Sequence, residues 1–473
     1  MSADAVVLGG GLSGLFAAGL LARDGLRTVV IDRRPPLDRD AGTTCAASPP
    51  NNRLYPHVFL PLAVRLLAVE LPEVLERLCG HGGRLLRLNR GGSEHIALRD
   101  YQAAVDPLVA LLARRSLVEA ALLDAVRSDP SVSFVHGAEA QPYLGLVGGT
   151  KVVSGAQVRA GTRYATDIVV DARGRSSGRS MIVSSCEIAS FTRWFRRRAG
   201  AHVTLNNPYS VGENLPSMAC SLFLADNNYF SITFIAHSRD VQIRGLRDER
   251  VFDSAVAATP SLSTAISECG AEPITRVIPY GNARNTFRLP AGPPSVTAPT
   301  GLFPVGDSLC TTNPMYGRGA ALGFLSGALV RDALRAHRGA DESATRDYVD
   351  RARGAVMPWF YEAIARDEHR SASWCRHSGV QRTKTPVVVP PDSKRAARAA
   401  AELSLLARQR SDSWDLLMKG FGLITSTDEL VAAAQEQGVH PDEDEGSLGP
   451  PEDADGVTTE LHLRSAIVRA DDA

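Results

Sequence analysis

A glycine-rich turn between two short apolar segments near the start of the chain constrains the fold more than any other feature. Residues 5–8 (AVVL) and 28–31 (TVVI) have the continuous apolar pattern of strands buried on both faces, and residues 15–23 between them have the length of a helix. A strand, a turn, a helix and a second strand in this order predict a βαβ unit with parallel strands and a right-handed crossover. The sequence therefore predicts an α/β domain.

The turn itself, residues 9–14 (GGGLSG), has the spacing G-x-G-x-x-G. In such a turn Gly9 permits the tight bend, Gly11 lets a pyrophosphate approach the backbone, and Gly14 lets the helix pack closely against the strand. The helix N-terminus offers free N–H groups and a partial positive charge to phosphates, so Leu12 and Ser13 are also predicted contacts. The turn predicts a dinucleotide-binding site.

Asp32 directly follows the second apolar segment. A carboxylate at this position can accept hydrogen bonds from the hydroxyl groups of a ribose. The negative charge of Asp32 favours a ribose without a phosphate group, whereas the neighbouring Arg33 would also permit a phosphorylated ribose to bind. The glycine turn and Asp32 do not identify which dinucleotide binds.

A second segment with the same character lies about 300 residues further along the chain. Residues 302–305 again have the pattern of a buried strand, and Gly306-Asp307 and a glycine-containing stretch, residues 308–319 (SLCTTNPMYGRG), follow it. Together with residues 171–174 (DARG) at another strand end, this pattern resembles the FAD-dependent monooxygenases of the aromatic-hydroxylase superfamily. The resemblance implies a Rossmann-type FAD-binding domain of the glutathione-reductase-like kind, with an inserted β-sheet substrate domain and a helical C-terminal region.

The resemblance also implies a set of FAD contacts. Asp307 would hydrogen-bond the ribityl chain, and the segment with Pro314, Gly317 and Gly319 would run along the flavin ring and open a helix toward its pyrimidine edge. Further cofactor contacts implied in the same way are Arg53, Arg115, Ala138, Asp171, Gly306 and Ala320. For Arg115 an ordinary position on a surface helix is the alternative, and the alignment at Arg53 is uncertain by a residue or more.

The residues after Gly306-Asp307 resemble one branch of that superfamily more than the others. Residues 310–317 (CTTNPMYG) lack the histidine that aromatic hydroxylases carry here, and are similar to the actinobacterial epoxidases of polyether antibiotic pathways. This resemblance implies epoxidation of a polyketide polyene through a C4a-hydroperoxyflavin, with O₂ and NAD(P)H consumed. The cofactor supplies the reactive atom in such chemistry, so no catalytic side chain is assigned.

The substrate wall is expected to come from the inserted lobe and from the loop beside the flavin. Residues 221–225 and 229–236 show the alternation and aromatic content of strands. The candidate substrate contacts are Phe223, Tyr229, Phe230, Phe234, Met315 and Tyr316. For each aromatic residue of a strand, a place in the protein core is the alternative.

The order of these segments predicts a discontinuous domain organisation. The FAD-binding domain would comprise residues 1–185 and 278–345, and the substrate-binding sheet residues 186–277 with parts of 55–110. A helical region would span residues 346–437. Residues 438–473 are expected to be a disordered acidic tail, because residues 440–456 are acidic, rich in proline and poor in apolar side chains.

Composition excludes several other classes of protein. Lysine plus arginine (52) balances aspartate plus glutamate (52), so a nucleic-acid partner is not expected. Residues 5–22 carry no charge but are interrupted by glycines and lack a basic start, which argues against a membrane span and a signal peptide. Seven scattered cysteines without C-x-x-C indicate reduced thiols and a cytoplasmic protein, and no metal site is predicted.

Other functions of the same fold stay open at this point. A flavin-dependent reductase or dehydrogenase of the prenyl-reductase type is the main alternative, followed by a lipid-carrier relative without flavin. A halogenase is not favoured, since the W-x-W-x-I-P motif is absent and all four lysines lie in segments expected away from the flavin. The apolar polyene substrate could be free or tethered to a carrier, and the reductant could act directly or through a partner flavin reductase.

Overall fold

The computed structural model of the chain describes residues 3–35, 55–90, 92–103, 107–178, 181–289, 298–381, 387–441 and 454–471. The helices are α1 (Leu12–Arg23), α2 (Pro61–Glu70), α3 (Pro72–Gly80), α4 (Leu98–Ala103), α5 (Arg115–Arg127), α6 (Glu249–Ala257), α7 (Pro260–Cys269), α8 (Gly319–His337), α9 (Glu342–Ser378), α10 (Pro391–Leu406), α11 (Ser411–Phe421), α12 (Thr427–Glu436) and α13 (Ala454–Asp471).

The strands of the N-terminal half are β1 (Ala5–Leu8), β2 (Thr28–Asp32), β3 (Val58–Phe59), β4 (Arg84–Arg87), β5 (Glu94–Ile96), β6 (Val109–Leu112), β7 (Val132–His136), β8 (Ala140–Val147), β9 (Thr150–Val158), β10 (Arg163–Tyr164) and β11 (Val169–Asp171). They are followed by β12 (Ile182–Ser185), β13 (Ile188–Arg196), β14 (Ser210–Asn214), β15 (Met218–Leu224), β16 (Tyr229–His237), β17 (Glu272–Pro273), β18 (Ile278–Tyr280), β19 (Arg284–Phe287), β20 (Leu302–Pro304) and β21 (Cys310–Thr311).

The central sheet has the predicted βαβ unit at its middle. Its strand order is β20-β11-β1-β2-β7, and all four pairings are parallel. In register, Leu8 lies beside Ile31 on one side and beside Asp171 on the other, and Asp171 lies beside Pro304. The glycine turn, Asp32 and the Gly306-Asp307 pair therefore leave the sheet at the same carboxyl edge, where nucleotides bind in folds of this class.

A second, antiparallel sheet forms the other lobe. Its order is β14-β15-β16-β13-β17, with β18 also paired to β13. Three smaller sheets complete the fold, with orders β3-β6-β4-β5, β10-β9-β8 and β12-β19-β21. The predicted fold class, a Rossmann-type domain with an additional β-sheet lobe and C-terminal helices, is confirmed.

The prediction of a disordered tail over residues 438–473 is wrong for its last part. Residues 454–471 form α13, which lies against α6. Leu463 and Ile467, one helical turn apart, are both buried. Acidic composition upstream obscured this short apolar stripe. Residues 442–453 lie outside the described part of the chain.

Within the ranges that the structure describes, no helix is both long enough and apolar enough to cross a bilayer.

Candidate functional site

The three motif glycines of the turn after β1 have different surroundings. Gly9 has φ +106°, and a Cβ atom added to it would come closer than 3.0 Å to the backbone oxygen of Ala172. A Cβ atom added to Gly14 would likewise come closer than 3.0 Å to the backbone oxygen of Gly9. A Cβ atom at Gly11 would meet nothing within 4 Å. Gly9 and Gly14 are therefore required by packing within the protein, whereas Gly11 faces open space at the N-terminus of α1, where a phosphate could approach.

The two glycine-containing segments meet at the side chain of Ser13. A Cβ atom at Gly306 (φ +57°) or at Gly323 on α8 would come closer than 3.0 Å to the Ser13 hydroxyl. The backbone N–H of Gly306 also donates to Ser326 Oγ on α8 at 3.0 Å. The missing side chains at Gly306 and Gly323 let α1, α8 and the Gly306-Asp307 turn pack directly together, so both segments border one space.

That space is a cavity of about 3240 Å³ that reaches from the central sheet to the second lobe. Binding sites for single small molecules typically enclose about 300–1,000 Å³. The cavity therefore has room for a dinucleotide and a second, large molecule. The predicted cofactor residues that line it are Gly9, Gly11, Leu12, Ser13, Gly14, Asp32, Arg33, Arg115, Ala138, Asp307, Pro314, Gly317, Gly319 and Ala320. Arg53 lies outside the described residues.

Asp32 is held as a buried carboxylate. Its Oδ2 accepts from the backbone N–H of Gly10 at 2.9 Å and from Arg34 at 2.7 Å. Burial raises the pKa of Asp32, but the hydrogen bonds and charge of Arg34 outweigh it, and the pKa lies below its usual range. Asp32 is therefore ionised at neutral pH and can accept a hydrogen bond at the cavity edge.

Arg115 is connected to Asp32 through a chain of ion pairs. Arg34 also lies 3.4 Å from Glu119, and Glu119 pairs with Arg115 at 3.0 Å within α5. Arg115 lines the cavity and is not on the outer surface, the alternative that the sequence left open. Arg115 therefore borders the same cavity as the glycine turn.

Asp171 was predicted to contact the cofactor, and the structure corrects this. Its carboxylate is buried, pairs with Arg173 at 2.7 Å, accepts from Ser177, and lies 3.4 Å from Ser308 Oγ. It is not among the residues that line the cavity. Because Asp171 ends β11 in the middle of the parallel sheet, its side chain stabilises the two turns beside it. Gly306 likewise serves packing rather than the cavity wall.

Asp307 presents its carboxylate to the cavity. The side chain is 40% exposed, and the nearest cation that it pairs with is Arg175, at 3.8 Å. Its backbone oxygen accepts from Arg288, which anchors the turn. The carboxylate is thus fixed at its base and has acceptor capacity left for a ligand hydroxyl.

A buried carboxylate from α9, to which the sequence assigned no contact, organises the loop before α8. Asp367 accepts from Asn313 Nδ2, Tyr316 OH and Asn285 Nδ2, each at 2.7 Å, and pairs with Arg370 at 2.7 Å. Asn313 and Tyr316 belong to the CTTNPMYG segment, whereas Asp367 lies 51 residues after Tyr316. Only the packing of α9 against this loop brings the groups together.

The candidate substrate contacts divide into two groups. Phe223, Met315 and Tyr316 line the cavity. Phe230 and Phe234 do not, because they lie on the other face of β16, where Phe230 stacks on Phe195 and Phe234 meets Phe252 of α6, both at 5.3 Å.

Tyr229 is also excluded from the cavity wall, since its ring packs under Arg114 with 4.3 Å to the guanidinium carbon. Side chains alternate along a strand, so the face of β16 opposite Phe230 and Phe234 carries Thr233 and Ile235, which line the cavity. The assignment of Tyr229, Phe230 and Phe234 to the substrate wall is wrong.

The cavity wall contains further aromatic residues that the sequence did not single out. Tyr209 lies between Phe223 and Phe421, with ring centroids at 6.2 and 5.1 Å. We call these three residues the aromatic shelf. Phe421 ends α11, so the C-terminal helices contribute to this wall as well as the β-sheet lobe.

His57 lines the cavity close to Arg115. Its Nδ1 donates to the backbone oxygen of Tyr55 at 2.7 Å. Burial, followed by the nearby charge of Arg115, lowers the pKa of His57 to about 4. The imidazole is therefore neutral near pH 7, with Nε2 available as a hydrogen-bond acceptor.

Lys394 on α10 lines the cavity. Within the described ranges, the acidic, histidine and cysteine side chains form no group of three or more suited to hold a metal ion.

The comparisons with known proteins support this architecture. A family model of NAD(P)-binding Rossmann-like domains matches residues 7–51. PqsL, a probable FAD-dependent monooxygenase from Pseudomonas aeruginosa, matches with a TM-score of 0.56 at 14% identity, over 80% of this chain and 98% of PqsL. The chain has the fold of flavin-dependent monooxygenases and halogenases.

Two flavin-dependent halogenases match over more of the chain. The brominase Bmp2 gives a TM-score of 0.58 at 12% identity, covering 93% of this chain and 99% of Bmp2. The myxobacterial chondrochloren halogenase CndH gives 0.57 at 14% identity, covering 92% and 96%. No curated protein matches the chain in sequence. At such identities the likeness describes the fold alone.

Proposed function

We propose that the protein is an FAD-dependent monooxygenase that uses NAD(P)H as reductant. The observation that carries this proposal is the packing of Ser13 against Gly306 and Gly323, which places both nucleotide fingerprints at one cavity. The residues fit FAD along its length. Open space at Gly11 suits the pyrophosphate, and Asp32 suits a ribose. Farther along the cavity, Asp307 suits the ribityl chain.

The loop before α8 and the start of that helix would hold the flavin ring. When bound and reduced, FAD would activate O₂ and so provide one oxygen atom for transfer to a substrate. The backbone N–H groups at the N-terminus of α8, beginning at Gly319, would stabilise negative charge on the ring without a charged side chain. Asp367 keeps the loop with Asn313 and Tyr316 in place.

We further propose that the reaction is epoxidation of an alkene in a long apolar substrate, such as a polyketide polyene. The volume of the cavity and the aromatic shelf beside the predicted flavin loop favour a large apolar molecule. Epoxidation also requires no general base. Tyr316 is unsuited to that role, because burial raises the pKa of its hydroxyl, which is already bonded to Asp367.

Product analysis tests the reaction. Purified protein with FAD and NAD(P)H would be incubated under ¹⁸O₂ with a panel of polyenes and phenols, and the products identified by mass. The expected result is one labelled oxygen atom in an alkene, with NAD(P)H consumed. Reduction of the substrate without label would favour the reductase instead, and labelled phenols alone would contradict epoxidation.

Halogenation is the second candidate, favoured by two observations. Lys394 lines the cavity, and several of the matching structures are flavin-dependent halogenases. Adding chloride or bromide to the same incubations, with Lys394→Gln as the variant, distinguishes the two reactions. A monooxygenase is expected to give the same products with and without halide.

Replacing Asp307 with alanine is expected to strip most of the bound FAD. The substitution removes the carboxylate that would accept from the ribityl hydroxyls, and hydrogen bonds to charged groups contribute about 1.5–3 kcal/mol each. Flavin absorbance per protein after gel filtration measures the effect. Asp412→Ala, at an exposed carboxylate of α11, serves as the control. Unchanged flavin content in Asp307→Ala would remove Asp307 from the site.

A further inference from the structure

A cluster of charged residues from α8 and α9 forms part of the cavity wall next to the aromatic shelf. Arg318 and Glu362 form an ion pair in which the side chains are 2% and 1% exposed. Arg366, one turn after Glu362, lies 3.6 Å from its Oε1 and keeps 36% of its side-chain surface exposed. Arg318, Glu362 and Arg370 also line the cavity, but Arg366 is the most exposed of the three arginines.

The cluster does not balance its own charge. Three arginines (318, 366 and 370) face two carboxylates (Glu362 and Asp367), which leaves a net charge of +1. The Asp367 carboxylate already pairs with Arg370 and accepts hydrogen bonds from three neutral donors. The Glu362 carboxylate lies closer to Arg318 than to Arg366. The excess positive charge therefore rests mainly on Arg366. A partly buried cation without full compensation favours an anionic ligand.

Arg366 is bordered by aromatic groups that also face the cavity. Its guanidinium carbon lies 4.6 Å from the centre of the Tyr316 ring. Tyr209, the middle ring of the aromatic shelf, lines the same cavity as Arg366. Burial raises the pKa of Tyr209 to about 12, so its hydroxyl stays protonated and can donate a hydrogen bond. The wall thus places a charged donor and a neutral donor at the edge of an apolar surface.

We propose that Arg366, together with Tyr209, binds a carboxylate at one end of an otherwise apolar, unsaturated substrate. The inference rests on the proposed function, since it assigns an end group to the substrate of that same cavity. The apolar body would lie along the aromatic shelf while the carboxylate neutralises Arg366. An arginine can hold both oxygen atoms of a carboxylate through its planar donors. The reduced flavin is another anion that could neutralise Arg366, and the experiment below distinguishes it from the substrate carboxylate.

The test compares an acid with its neutral ester. Linolenic acid and methyl linolenate, both below their critical micelle concentrations, would be titrated into the FAD-loaded protein by calorimetry. We expect the acid to bind about tenfold more tightly or better, as one charge-assisted hydrogen bond allows. Arg366→Gln should remove this preference with little change for the ester. Arg366→Lys should retain part of it, and Tyr209→Phe should reduce it.

Arg376 provides a matched control. It lines the same cavity from the same helix, about 15 Å further along the axis at 1.5 Å per residue. Arg376→Gln is expected to leave the preference for the acid unchanged. Thermal unfolding of each variant shows whether it has folded.

Several outcomes would overturn the inference. These are equal affinity for acid and ester, no binding of either, or loss of the preference in Arg376→Gln but not in Arg366→Gln. A lowered flavin reduction potential in Arg366→Gln with the preference intact would assign the charge to the reduced flavin instead. Purified protein that cannot take up FAD would contradict the proposed function alone, because acid and ester can still be compared on the flavin-free protein.

Discussion

Replacing Gly11 with valine is expected to abolish FAD binding while the protein stays folded. Gly11 has φ −80° and ψ −176°, which any residue can adopt, and a Cβ atom there meets no protein atom within 4 Å. The added side chain would occupy the space in which the pyrophosphate approaches the backbone. Flavin content by absorbance and the thermal unfolding midpoint, measured on the same preparation, report the two effects separately.

The same substitution at Gly14 is the matched control, with the opposite expectation. A Cβ atom at Gly14 would come closer than 3.0 Å to the backbone oxygen of Gly9. Neither backbone can move without separating α1 from β1, so Gly14→Val should destabilise the fold, by about 1–3 kcal/mol or more. A Gly11→Val protein that retains stoichiometric FAD would show that the turn does not hold the cofactor.

Replacing Asp226 with alanine is expected to cost about 3–5 kcal/mol of unfolding free energy, the range for breaking a buried ion pair. Asp226 accepts from the backbone N–H of Arg114 at 2.7 Å and from its guanidinium at 2.6 Å. The two side chains are 0% and 3% exposed. The pair joins the segment between β6 and α5 to the turn between β15 and β16, so the loss would also loosen the second lobe. Urea unfolding measures the change.

An exposed pair of the same chemistry provides the control. Arg410 and Asp412 lie 2.7 Å apart but are 44% and 56% exposed. Asp412→Ala should have no measurable effect on unfolding, because solvent screens exposed pairs. If Asp226→Ala unfolds at the same urea concentration as the unmodified protein, the buried pair does not stabilise the junction.

The parts of the site that the sequence predicted are those that depend on local geometry. The glycines of the first turn are spaced for one strand, one turn and one helix, so residues 5–32 carry enough information to place Asp32 beside Gly10. Gly306-Asp307 is identified instead through the resemblance to a known superfamily. In both segments the turn directly follows a short strand.

The errors concern residues whose neighbours come from distant parts of the chain. Phe230 and Phe234 have the aromatic character expected of a substrate wall, but alternation along a strand does not say which face meets the cavity. Asp171 sits at a strand end like Asp32, yet its partners Ser177 and Ser308 satisfy it within the protein.

By itself, the sequence determined the βαβ unit, the positions of both glycine turns and the class of nucleotide site, because backbone sterics and hydrogen bonding at a glycine turn are decided locally. Only the tertiary structure decided that Ser13 packs between Gly306 and Gly323, that Asp367 organises the loop before α8, and that Arg366 carries the unbalanced charge. Those contacts join residues far apart in the chain, and their identity depends on how the helices and sheets pack against one another.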